Sequence, residues 1–245
     1  MCIRDRGGVE LQIADYKLLV AGKIGQVLRW VVVLALPPFL VLSNIYLLMN
    51  TAYVRYEYGR ADFPPAERFS DAERYRVAQT CITYLRTGAG IELLADLEGE
   101  GGPLFNQREL RHMRDVKVVT RWAFAVHKAL GVLLMAAAVF LLWRRETWSL
   151  LGRAMLGGAA LTVALFVVLG LFIVLDFNNF FTLFHRVFFE GDTWLFAPSD
   201  TLIQLFPLPF WFDAALILSG ATLGEAALIG GLGWWWMRRL RGSGR

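Results

Sequence analysis

Four runs of almost uninterrupted apolar residues, at 27–49, 122–143, 151–175 and 214–237, constrain this chain more than any other feature. A helix needs about 20 such residues to cross the ~30 Å hydrocarbon core of a bilayer, and inside lipid only a helix or a closed barrel satisfies its own backbone. The runs are continuous rather than alternating, so the expected fold is an all-α membrane protein with four transmembrane helices. With 56% apolar and 19% charged residues, the composition excludes an ordinary soluble enzyme.

Cations flanking the spans set the orientation. Arg4, Arg6, Lys17, Lys23 and Arg29 lie in or near the first 26 residues, Arg144 and Arg145 in the 144–150 turn, and Arg238, Arg239 and Arg241 in or beside the 238–245 tail. Short cation-rich segments stay cytoplasmic, which leaves 50–121 and 176–213 as two extracytoplasmic loops. The first holds eleven Lys/Arg against eleven Asp/Glu, and the only cation of the second is Arg186. The net charge of +4 is thus a matter of topology, and no nucleic-acid partner is expected. The first run has full span length and no small-residue cleavage site after it, so it reads as a retained span. The opening Met1–Arg6 resembles translated adapter sequence and is given no functional weight. Cys2 and Cys81 are expected on opposite sides of the membrane, without a disulfide.

The first outer loop carries its own helix signals and is expected to be a small folded subdomain. Ser70 with Glu73 has capping-box spacing, Gly88 stands where a C′ residue would close that helix, and the GEGGP stretch at 99–103 interrupts the chain. Asn106 with Glu109 offers a second box, after which one helix is expected from Gln107 through the membrane to Trp143. The second outer loop has twelve Phe or Trp among 38 residues, which places it at the lipid interface. Pro37-Pro38 falls inside the first span, and Gly220-x3-Gly224 with Gly230-Gly231 forms a candidate helix-contact seam in the fourth.

Histidine is the side chain best suited to acid–base work near neutral pH, and this chain has three. His112 lies ten residues before Trp122 and His185 ten residues after Leu175. The midpoint of 112 and 185 falls inside the Arg144–Ser149 turn. Two antiparallel helices folded about that turn bring both imidazoles to one height, roughly 15 Å beyond the apolar boundary, where a lipid head or glycerol backbone lies. Glu109, His112 and Asp115 follow at i, i+3 and i+6, so a carboxylate one turn away is placed to orient the ring. Glu190, Asp192 and Asp200 follow His185. Glu225, mid-span in the fourth helix, is an intramembrane carboxylate that Lys128 or His127 is placed to pair with. There is no HExxH or comparable spacing, so no metal and no cofactor are expected.

Two segments carry a family resemblance: ELRHMRDVK (Glu109–Lys117) and FFTLFHRVFFEGDTWLFAPSDTLIQLFPLPFW (Phe180–Trp211). With the four-span layout they resemble the lipoprotein intramolecular transacylase (Lit) family, over most of residues 20–240. The specific features are HMxDV, FHxxxF, the Trp after it and PxxD. Over 50–100 only YLRTG (Tyr84–Gly88) is similar, and Gly191 stands where the resemblance leads one to expect a polar residue such as Asn. The resemblance implies a bacterial cytoplasmic-membrane acyltransferase whose substrate is a diacylated lipoprotein. It would move the sn-2 acyl chain to the N-terminal cysteine amine, giving the lyso form. The resemblance implies that His112 and His185 are the catalytic pair. Asp115, Asp192, Asp200 and Glu109 are then candidate supporting groups, and Phe184, Phe188 and Trp194 candidate acyl-lining residues. Cys81 is a weaker candidate acyl carrier. The alternative is a non-catalytic accessory protein whose aromatic outer loop binds membrane lipid or a partner. A transporter, suggested by Glu225 and Pro37-Pro38, lacks the inverted repeat that fold class requires.

Overall fold

Among the described residues the chain is helical apart from its loops and one two-stranded hairpin, with backbone described in a computed structural model for residues 6–242 and side chains for residue 20 and from 22 on. Cys2, Arg4 and the side chains of Arg6 and Lys17 lie outside the described residues. The helices are α1 (Arg6–Leu48), α2 (Thr51–Tyr58), α3 (Asp71–Arg86), α4 (Glu92–Ala95), α5 (Gln107–Trp143), α6 (Trp148–Leu175), α7 (Phe177–Phe188), α8 (Thr201–Leu205) and α9 (Leu208–Gly242). Helices α1, α5, α6 and α9 are long and apolar enough to cross a membrane. Helix α5 has 37 residues, about 55 Å of rise. Its charges from Arg108 to Arg121 all precede residue 122, so 107–121 stand beyond the apolar part.

One compact unit takes α1 up to Leu40, Lys128–Leu165 and the chain from Thr222. Leu36, Leu40 and Val32 of α1 pack there on alanines of the other helices, Ala159 and Ala226, Ala137 and Ala154. A Cβ on Gly233 would stand 2.9 Å from the Gly152 carbonyl oxygen, so α6 and α9 meet backbone to backbone here. This corrects the expected seam: added methyls at Gly220, Gly224 and Gly231 would meet nothing within 4 Å, and only Gly230 closes on a neighbour, Ala159.

The second unit takes Val41–His127 and Phe166–Ala221. Its core joins Val54 of α2, Val77 and Cys81 of α3, Leu94 of α4 and Leu205 of α8, all essentially inaccessible. Each such side chain contributes roughly 1.5–3 kcal/mol by leaving water. Residues 50–103 therefore fold against 196–210, two stretches about a hundred positions apart. Tyr53 Oη donates to the Phe210 carbonyl (2.9 Å) and Tyr58 Oη to that of Leu205 (2.7 Å), which tie α2 to the chain before α9. The GEGGP stretch is a tight hairpin, β1 (Glu98–Gly99) paired with β2 (Gly102–Pro103). Ser70 caps α3 through the Glu73 amide. Gly88 does not adopt the left-handed cap conformation; α3 ends at Thr87, extended, with its hydroxyl donating to the Thr83 carbonyl (2.8 Å).

Residues 176–213 are largely helical. Helix α6 stops at Leu175 because Asp176 leaves helical geometry and caps a new helix, its carboxylate accepting from the Asn179 amide (3.1 Å). Helix α9 begins at Leu208, ahead of the apolar run, with Pro207 and Pro209 at its start, where a missing N–H costs no helical bond.

Candidate functional site

The start of α5 is fixed by an Asn106/Glu109 capping box whose glutamate does double service. Asn106 Oδ1 accepts from the Arg108 and Glu109 amides (both 3.0 Å), and Glu109 Oε2 accepts from the Asn106 amide (2.8 Å). Glu109 Oε1 accepts from the Leu202 amide in the first turn of α8 (2.8 Å). Around this clamp Asp200 accepts from Asn106 Nδ2 (3.0 Å), from Arg108 (3.1 Å) and from the Ala197 amide (2.8 Å), and Thr201 Oγ1 donates to the Leu104 carbonyl. One turn beyond, α5 presents His112.

His112 and His185 come together, with ring centroids 6.3 Å apart and planes at 21°. They do so without α6 running on: the break at Asp176 hands His185 to α7. His185 Nδ1 lies 2.8 Å from the Phe181 carbonyl one turn back. A carbonyl only accepts, so Nδ1 carries the proton and Nε2 keeps its lone pair. Burial lowers the His185 pKa, against the opposing pull of that hydrogen bond. His112 is more enclosed, 8% exposed, and its buried Nδ1 has no partner. Burial first, and His185 second, hold its imidazole down to about 4. Both rings are therefore neutral at physiological pH.

Rings enclose the pair. Phe189 packs on both histidines, at 4.8 Å from His112 and 5.5 Å from His185, and Phe196 meets His112 edge-on at 5.3 Å. Trp194 lies over His185 at 4.9 Å and Phe181 at 4.1 Å. Of the expected acyl-lining residues, Trp194 touches His185 and is buried, Phe184 touches His185 edge-on and is exposed, and Phe188 is exposed and packs on Phe184. Phe181, Phe189 and Phe196 were not among the sequence candidates. The first two were legible, standing four residues either side of His185, one helical turn away.

The acidic candidates divide. Glu109 does not orient His112, because both its oxygens are occupied by backbone amides. Asp200 acts at one remove: it holds Arg108, whose guanidinium lies over the Phe196 ring (5.6 Å) that abuts His112. Asp115 is half-buried and makes no hydrogen bond or ion pair among the described residues, and Asp192 is exposed in the turn after α7. Cys81 is fully buried and its thiol pushed far up by desolvation, which disqualifies it as an acyl carrier.

Gly191 has φ +60°, the left-handed region, and its carbonyl accepts from Trp194 Nε1 (3.1 Å). Asn is the side-chain-bearing residue that best tolerates that region, and an added Cβ would meet nothing within 4 Å. Glycine and asparagine therefore both suit this backbone position. Gly191→Asn is expected to leave thermal stability nearly unchanged, whereas Gly191→Val should cost roughly 1–2 kcal/mol, read by thermal unfolding of the purified protein.

The model of the family described as lipoprotein intramolecular transacylase Lit matches residues 30–211. A solved structure of the membrane-integral transacylase Lit from Bacillus cereus is similar at TM-score 0.77 and 23% identity, over 90% of this chain and 99% of that one. One of that protein's histidine variants is similar at TM-score 0.68, also at 23% identity, over 94% of this chain and 99% of that one. An uncharacterized protein of Aquifex aeolicus (strain VF5) is 29% identical over 171 residues, 68% of this chain and 74% of the relative. With a family model matching most of its length and a shared four-span fold, the chain belongs to the lipoprotein intramolecular transacylase (Lit) family.

Proposed function

We propose that this multi-pass membrane protein moves the sn-2 acyl chain of a diacylglyceryl lipoprotein to the α-amine of its N-terminal cysteine, leaving the lyso form. The observation that supports this reading best is the pair of neutral imidazoles in an aromatic enclosure. The pair stands beyond the apolar stretch of α5, at the depth of a glycerol backbone, in the two loops that the cation distribution assigns to the extracytoplasmic side.

The reaction needs little from the protein beyond proton handling and placement. The amine nitrogen attacks the sn-2 ester carbonyl, the carbonyl oxygen takes up negative charge, and the bond to the glycerol oxygen breaks. His185 Nε2, its tautomer set by the Phe181 carbonyl, accepts the amine proton and returns it to the departing glycerol oxygen. His112 donates a hydrogen bond to the oxyanion, which gains strength among aromatic rings of low polarity. Nucleophile and ester belong to one molecule, so holding that headgroup folded contributes up to ~7–11 kcal/mol by proximity.

The reading is tested in cells lacking their own N-acylating enzymes, by fragmenting a reporter lipoprotein's N-terminal lipopeptide in a mass spectrometer. The total mass is unchanged by an internal shift, so fragments must separate N-acyl lyso from diacyl forms. An untouched diacyl form, with the protein expressed and inserted, would overturn the reading.

The pH dependence follows from the two lowered histidine pKa values. A depressed imidazole loses its basic form only as pH falls through the depressed value, below the ordinary 6.5. The substrate amine, titrating near 7.7–8.0, is protonated first. On lowering the pH, kcat/KM is expected to fall with unit slope from about pH 8 and to show no second break near 6.5. A break there would mean that a solvated histidine carries the step.

A further inference from the structure

Helix α7 carries His185 yet has no buried residue of its own. At 100° per residue its side chains divide cleanly. Phe177, Phe180, Phe181, Leu183, Phe184, Val187 and Phe188 occupy a continuous arc of about 160°, and Asn178, Asn179, Thr182, His185 and Arg186 occupy the remainder. The only charge, Arg186, lies on the polar side about 140° from the centre of the apolar arc, and His185 stands at the border beside Phe181. The N-terminal half of that arc packs on protein, Phe180 on Phe172 and Phe177 on Phe212. The C-terminal half is open: Leu183, Phe184, Val187 and Phe188 are 54%, 45%, 69% and 47% exposed. It follows in sequence the exposed Val167, Val168, Leu171, Val174 and Leu175 of α6, which as part of a membrane span face acyl chains.

We propose that α7 lies in the plane of the bilayer with Leu183, Phe184, Val187 and Phe188 among the acyl chains, and that this lipid contact holds His185 in place against His112. The occupant of the open half is the bilayer. A 12-residue helix whose apolar half is only partly covered by protein gains by immersing the rest, and a polar face bearing one arginine suits the headgroup layer. The membrane would thereby serve as the missing wall of the histidine enclosure, and an acyl chain beside α7 would reach the pair without crossing water. The lipid contact rests only on the fold; its role in holding His185 rests on the transacylase reading above.

The test uses the full chain with Cys2→Ser, since Cys81 is fully buried, carrying one spin label at position 179, 183, 186 or 187. The protein is reconstituted in vesicles of phosphatidylcholine and phosphatidylglycerol. Relaxation by oxygen, which concentrates in acyl chains, is compared with relaxation by a water-soluble nickel chelate. Labels at 183 and 187 are expected to favour oxygen, and those at 179 and 186 nickel. Equal nickel access at all four positions would overturn the proposal. Shielding of 183 and 187 from both agents would overturn it too, by placing a second copy or another protein there. This measurement needs no turnover, so its failure is distinct from failure of the transacylase reading. For the coupling to the site, Val187→Asp should lower lyso-form production by about 10²-fold, as a small misplacement of a reacting group does, while Val187→Leu and Arg186→Gln keep it. Full activity of Val187→Asp would overturn the coupling.

Discussion

Replacing either histidine by alanine is expected to lower lyso-lipoprotein formation by about 10²–10⁴-fold, the range over which a positioned acid–base group contributes. Membrane insertion and thermal unfolding should be nearly unchanged. Neither ring ties two elements together by a hydrogen bond among the described residues. His112 Nδ1 has no partner to orphan, and the one hydrogen bond of His185 Nδ1 described here returns to its own helix. If the two rings divide one proton transfer and one oxyanion contact between them, the double variant should be scarcely worse than either single one, because groups acting as a unit are not additive. The readout is the fragmented lipopeptide, wild type beside His112→Ala, His185→Ala and the pair. Full activity of both single variants, with loss instead on changing Trp194 or Phe188, is the pattern a lipid- or partner-binding accessory protein would give.

The largest effect on stability is expected at Glu109. Its carboxylate is 1% exposed and accepts from two backbone amides, those of Asn106 and Leu202. Glu109→Ala strands both donors in the interior, at about 1–3 kcal/mol each. The summed loss of about 2–6 kcal/mol is a large fraction of a typical domain's stability. Glu109→Gln keeps one acceptor oxygen but turns an amide N–H toward the other donor, and should lose roughly half as much. Unfolding in detergent, followed by helix signal against temperature, separates the three proteins. A Glu109→Ala protein as stable as the wild type would mean that the clamp between α5 and α8 does not bear on the fold.

These residues show which features a sequence exposes. The spans, the Ser70 cap, the Asn106/Glu109 box and the pairing of His112 with His185 are local or symmetric features, readable from periodicity and from distances counted about one turn. The apolar run gives the end of the third span at 175 but not the new helix that follows it, because the aromatic pattern continues into Phe177 and Phe180 and a single capping aspartate, Asp176, sets α7 off from α6. Nor was the true duty of Glu109. Spacing places it one turn from His112 whatever its carboxylate does, and the competitor for that carboxylate, the Leu202 amide, lies 93 positions away. Likewise the seam between α6 and α9 runs through Gly152 and Gly233, whose closeness depends on helix rotation and not on any motif within one helix.

The clamp that seats His112 also imposes an order on biosynthesis. Leu104, Asn106, Arg108 and Glu109 all find partners between Asp200 and Leu202. At a translation rate of roughly 5–20 residues per second, the start of α5 waits several seconds before those residues are made. During that interval His112 has neither its partner histidine nor its aromatic enclosure. A nascent chain cannot act on lipoproteins already in the membrane, and competence arrives only when the stretch before the last span has been delivered.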